Sequence, residues 1–187
     1  SSAASDVYKR QAENIDPKTW HPWESCSGIS KAYGNHWMEE LDPSMVMSDR
    51  EFICHFTSIV ARGGNLLLLV NLDAQGAIPT VQEERLLSIG RWLERNGEAI
   101  YATRIVAPFS TTSVDYTRTK DGKVIYAIVK EPSAEVALDC EIPSGARVTA
   151  LGESAALPVR REGAQTVVRL PPRLAQANLP FVLRVNK

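Results

Sequence analysis

The residues best suited to chemistry lie in Trp20-His21-Pro22-Trp23-Glu24-Ser25-Cys26, which sets one carboxyl group among two tryptophans, a histidine and a thiol. Apolar surroundings penalise the charged form of a carboxyl, and a carboxyl kept protonated near neutral pH can serve as a general acid. Glu24 meets that condition locally, since Lys18 is the only Lys or Arg within six residues on either side. The competing reading is a surface glutamate beside a core tryptophan. Cys26 could act as a nucleophile only with a base such as His21 or His36 in reach; a packed or site-lining thiol is the simpler account. Glu24, Cys26 and His36 do not have the spacing of a familiar metal site.

The segment that follows, 27–43, is rich in Gly, Asn, Ser and aromatic residues without a clear period, the character of a functional loop. Tyr33, His36 and Trp37 stand there as an aromatic group near Glu24; loop packing is the alternative.

The elements that must position these residues follow in order. Ser48 with Glu51 three residues on is a capping box, and Phe52, Ile53, Phe56, Ile59 and Val60 recur at helical spacing. His55 within that helix reads as a core histidine. Gly63 and Gly64 stop the helix. The continuous apolar run Leu66 to Val70 predicts a strand covered on both faces; Asn65 and the two glycines serve the sharp turn into it. Thr80 with Glu83 predicts a second capping box, followed by a helix that Asn96-Gly97 ends. Glu98 is a cap or a bridge to whatever follows. Strand, loop, helix, buried strand, loop, helix is a β/α pattern, and two such units cannot close a sheet alone. From Ile105 onwards the pattern changes to short alternating runs at 114–119, 123–129, 135–140, 146–151, 166–170 and 181–185, separated by turn signals such as Asp121-Gly122 and Glu162-Gly163. These predict an antiparallel β-sandwich, with a boundary near 104–112.

Composition bounds the rest. The chain has 187 residues, 44% hydrophobic and 23% charged, with a formal net charge of −1. That balance implies neither a nucleic-acid nor an acidic-lipid partner. No apolar run approaches the roughly 20 residues that span a bilayer. Three cysteines without a C-x-x-C suggest neither a disulfide framework nor a zinc site. Residues 1–11 match, in frame, the translation of a transposon-type sequencing adapter and are set apart from the fold. The native sequence is then expected to begin near Ala12, inside a gene.

Three segments together resemble one family, the α-L-fucosidases of glycoside hydrolase family 29. Trp23-Glu24-Ser25-Cys26 resembles its W-E-x-C signature. Arg62-Gly63-Gly64-Asn65-Leu66-Leu67-Leu68 resembles its G-G-N-L-L-L strand. Arg85 to Leu93, with Asn96 to Tyr101, resembles its R-L-x-x-[IV]-G-x-W-L … N-G-E-A-I-Y block. Two departures stand out: Tyr33-Gly34-Asn35 where the family often has W-G-Y, and Leu69-Val70-Asn71-Leu72 where its strand runs on to N-V-G-P or N-V-S-P. The resemblance implies an α/β then all-β chain: the last β/α units of a (β/α) barrel, residues 12–104, followed by a C-terminal antiparallel β-sandwich, residues 105–187. It implies retaining exo-hydrolysis of terminal α-L-fucose from a fucosylated glycan, needing two carboxyl groups about 5–5.5 Å apart. Glu24 is then the general acid/base, placed at the C-terminal end of a barrel strand where catalytic residues gather. Trp23, Tyr33, His36 and Trp37 are then candidate substrate-binding residues, an aromatic ring packing on the face of fucose that carries its methyl. The nucleophilic aspartate would lie upstream of Ala12, leaving this fragment inactive alone. No cofactor or metal is implied. The family points to a secreted, periplasmic or lysosomal setting. A non-catalytic carbohydrate-binding protein on the same scaffold is the alternative.

Overall fold

The computed structural model describes residues 22–30 and 43–187. Strand β1 (Trp23–Gly28) pairs in parallel with β2 (Gly64–Leu69), and helix α1 (Asp49–Ala61) forms the crossover between them. Helix α2 (Thr80–Asn96) follows β2 and packs beside α1. The first capping box is present in full: Ser48 N–H donates to the Glu51 carboxylate at 2.8 Å, and Glu51 N–H donates back to Ser48 Oγ. The second is not. Thr80 is already the first residue of α2, Pro79 occupies the cap position, and no side chain caps that end. The Pro79 carbonyl accepts the Gln82 and Glu83 N–H groups at 2.8 and 3.0 Å, so the first turn closes without a side-chain cap.

The β2 residues alternate. Leu66, Leu68 and the following Val70 pack against Ile29, Phe52, Val81, Leu86 and Ile89, while Leu67 and Leu69 are each 42% exposed. The leucine run is therefore covered on the helix side only, among the described residues.

Eight more strands build two antiparallel sheets. β3 (Arg104–Ser110), β4 (Val114–Arg118), β5 (Val124–Val129), β10 (Phe181–Asn186) and β7 (Arg147–Ala150) form one, in that spatial order; β6 (Glu135–Leu138), β9 (Gln165–Arg169) and β8 (Val159–Glu162) form the other. A short helix α3 (Pro172–Ala175) precedes β10. The β4–β5 hairpin closes through Lys120-Asp121-Gly122, with Gly122 at φ 73. Inward residues of both sheets, among them Tyr116, Ile125, Leu138, Val168 and Leu183, meet in one core, so the two sheets are the layers of a sandwich.

The five-stranded sheet is apolar on its other face as well. Every residue of β5 is buried. Ile125, Ala127 and Val129 face the sandwich core, while Val124, Tyr126 and Ile128 join Ile53, Trp92, Ala99 and Val182 in a second core under α1 and α2. The β/α part and the sandwich thus share buried surface. Polar contacts pin the joint: Trp92 Nε1 donates to the Pro180 carbonyl at 2.7 Å, Thr117 Oγ1 to the Ala99 carbonyl at 2.7 Å, and Tyr126 O–H to Glu98 at 2.7 Å. Glu98 also pairs with Arg184 at 3.3 Å, which makes it the bridge its position suggested.

Candidate functional site

Neighbouring residues on a strand point to opposite faces. Trp23, Ser25 and Ser27 face α1. Trp23 is 3% exposed, packs on Ile59 and Leu66, and donates its indole N–H to the Arg62 carbonyl at 3.1 Å. Ser27 Oγ and His55 Nε2 lie 2.8 Å apart, so the helix histidine is tied to β1. Glu24 and Cys26 fall on the opposite face, half-buried, where the register sets Glu24 beside Asn65, Cys26 beside Leu67 and Gly28 beside Leu69. This second face has no cover among the described residues.

Two expectations change with this geometry. The indole that was to make the Glu24 setting apolar lies across the sheet from it; the residues sharing its face are Cys26 and Asn65. Trp23 is correspondingly a core residue holding β1 to α1, and its ring does not line the open face. Glu24 is also the second residue of a six-residue strand, at the N-terminal end of β1 rather than the C-terminal end. Of the other candidates, Tyr33, His36 and Trp37 lie outside the described residues, as do Trp20 and His21.

The C-terminal ends of the two strands, where a parallel barrel gathers its chemistry, carry Gly28, Ile29 and Ser30 on one side and Val70 and Asn71 on the other. A clamp that sequence reasoning missed fixes the second. Gln82, fully buried, accepts the Asn71 N–H at 2.8 Å and donates to Asn71 Oδ1 at 2.9 Å. The exit loop is then folded on Asp73, whose Oδ1 accepts from Gln75 and Ala77 N–H at 2.9 and 2.8 Å. The signal available was a glutamine on the apolar side of α2, in the first turn, where burial demands partners.

Buried charge sits elsewhere, at the joint of α1 with the sandwich. Asp115 has no solvent exposure and pairs with Lys130 Nζ at 2.8 Å. It accepts from Thr57 Oγ1 at 2.7 Å and Ser58 Oγ at 3.1 Å, and Lys130 donates to the Thr111 carbonyl at 2.7 Å. Every charge in the group is answered, as an interior ion pair requires. Nearby Cys54 has its pKa raised, mainly by burial, which keeps it a thiol. This constellation is architectural.

A family model described as alpha-L-fucosidase matches residues 2–98. The chain is 30% identical to the tissue alpha-L-fucosidase of Rattus norvegicus over 89% of its own length and 38% of that protein. It is 36% identical to the Homo sapiens tissue alpha-L-fucosidase over 71% of its length and 29% of that protein. Among solved structures, the Thermotoga maritima alpha-fucosidase in complex with fucose superimposes with a TM-score of 0.75 at 25% identity, over 88% of this chain and 40% of that one. The chain thus spans about two fifths or less of the length of these relatives.

Proposed function

The chain belongs to the alpha-L-fucosidase family, and on that footing we propose that it is the C-terminal part of a retaining exo-hydrolase that releases terminal α-L-fucose from glycans. Residues 12–104 supply the end of its barrel and residues 105–187 the sandwich. The segment 1–11 is adapter-derived on the strength of its in-frame translation, although the family match begins at residue 2; resequencing the source gene across Ala12 decides its origin. The catalytic nucleophile is upstream, and Glu24 is the general acid/base.

The observation that carries the role of Glu24 is its projection onto the face of β1 and β2 opposite the helices, which has no cover among the described residues. In a closed parallel barrel that face is the interior. Reaction would then run in two steps. Glu24 protonates the leaving oxygen as the upstream carboxylate attacks the sugar carbon, and afterwards takes a proton from the water that releases fucose.

A second reading has its own observation. Glu24 lies at the N-terminal end of its strand, and chemistry in parallel barrels collects at the other end. On that reading a different carboxyl is the acid, and Glu24 fastens the barrel floor. One substitution separates the two. In the full-length protein, Glu24→Gln should lower kcat/KM about 10²–10⁴-fold on fucosides with poor leaving groups. The loss should be much smaller on activated aryl fucosides, which need no proton. Equal rates on both substrate classes with a lowered melting temperature would assign Glu24 to the floor.

A further inference from the structure

The block around Trp92 is only partly used by the joint it builds. Ser88, Arg91, Trp92 and Arg95 recur at three- and four-residue steps along α2, so they share one face of the helix. Trp92 goes inward and is held by the Pro180 carbonyl. Arg91 and Arg95 stay exposed, adjacent to each other, and pair with no carboxylate among the described residues. Two cations side by side without a counter-ion repel each other, and none of the hydrogen bonds or ion pairs among the described residues uses them.

They overhang a cleft of about 470 Å³ between α2 and the segment leading into β10, within the size range of sites for small ligands. Its floor is apolar, formed by Trp92, Leu151 and the half-buried Phe181. Arg173 stands on the opposite wall, already paired with Glu153. An apolar floor selects against a bare inorganic ion, and a cationic rim selects against a neutral ring. Guanidinium groups also present paired N–H donors that match the oxygens of a carboxylate or sulfate.

We infer that this cleft binds an amphipathic organic anion, a ring-sized apolar body carrying one carboxylate or sulfate held by Arg91 and Arg95. The site is independent of Glu24 and of the open barrel face.

Saturation-transfer NMR on the 187-residue chain tests it with phenyl sulfate, benzoate, benzyl alcohol and inorganic sulfate as probes. Phenyl sulfate, benzoate or both should bind saturably, and the tighter of the two identifies the anionic group. Benzyl alcohol and inorganic sulfate should each bind at least tenfold more weakly. Arg91→Gln with Arg95→Gln should weaken the organic anion at least tenfold without moving the melting temperature, since neither side chain has a carboxylate partner among the described residues. Arg91→Lys with Arg95→Lys, which keeps the charge, should recover part of the affinity. Equal binding of the neutral ring, equal binding of inorganic sulfate, no saturable binding of either organic anion, or indifference to the glutamine pair would each overturn the assignment.

Discussion

The ion pair of Asp115 and Lys130 shows what one residue can carry here. With Asp115 wholly buried and Lys130 8% exposed, removing one partner strands the other in a medium that solvates it poorly. Lys130→Met should cost about 3–5 kcal/mol. The double variant Asp115→Leu, Lys130→Met should cost clearly less, because no charge is left behind. Urea denaturation of the three proteins measures the coupling; additive losses would mean the pair is not the unit described. Alkaline pH acts on other buried groups. Burial pushes the Cys140 thiol from its ordinary 9.0 up to about 11. Tyr126 goes from 10.0 up to about 12 by burial and by its hydrogen bond to Glu98. Between the ordinary and the raised values the folded chain keeps protons that the unfolded chain has lost, so stability falls as pH rises. The melting temperature should therefore drop from about pH 9 upward, and Tyr126→Phe should flatten the part of that drop above pH 10. The hairpin of β4 and β5 brings Asp115 and Lys130 together, but their burial was not legible in the sequence, because the hydroxyls of Thr57 and Ser58 that answer Asp115 lie far upstream and reach it only once α1 lies on the sheet. The environment of Glu24 was misjudged for a related reason. On a strand the neighbours that matter are two residues away or across the ladder, not adjacent.

At the scale of elements, two glycines of the family-like blocks make opposite predictions. A methyl group on Gly64 would lie 2.4 Å from Trp23 Cζ2. That ring cannot move aside: it is 3% exposed and anchored to the Arg62 carbonyl. Gly64→Ala should therefore destabilise by about 1–3 kcal/mol or more. A methyl on Gly97 would lie 2.6 Å from the Tyr101 ring, but Tyr101 is 64% exposed and free to swing out. Gly97 sits at φ −59, open to any residue. Gly97→Ala should be neutral or stabilise by a few tenths of a kcal/mol, through the entropy of the unfolded chain. Shifts of the urea midpoint with opposite or unequal sign are the expected result; equal losses would show that Tyr101 is pinned as firmly as Trp23. Which elements the sequence revealed follows the same logic of burial. The strands β4, β5, β9 and β10 bury one or both faces and so alternate or run apolar. The strands β3 and β8 were missed. β3 is an edge strand containing Pro108 and a register break between Ile105 and Ser110, and an edge tolerates a proline that a central strand would not. β8 is the opposite edge of the smaller sheet, Val159-Arg160-Arg161-Glu162, exposed throughout. A strand with no buried face writes no hydrophobic period.

For the molecule as a whole, the sequence suggested a boundary near 104–112, as if the sandwich beyond it were a unit of its own. The five-stranded sheet argues otherwise. Its outer face carries Val124, Tyr126, Ile128, Leu151 and Val182, all buried under α1 and α2. Burial of such side chains contributes about 1.5–3 kcal/mol each, together as much as the whole stability of a domain, about 5–15 kcal/mol. Cutting at residue 104 exposes them as one apolar patch and removes the partners of Tyr126, Thr117 and Arg184. Residues 105–187 expressed alone should aggregate, or stay compact without fixed packing, keeping far-UV but losing near-UV circular dichroism. The control is to change the surface and leave the sandwich core untouched. Ile128→Lys with Val182→Thr, both on the face under the helices, should restore a soluble, cooperatively melting sandwich from the same excised segment. The same pair placed in the 187-residue chain should destabilise it by several kcal/mol, since there the two side chains are interior. A stable excised sandwich without those substitutions would mean that the helices merely rest on a sheet that holds itself.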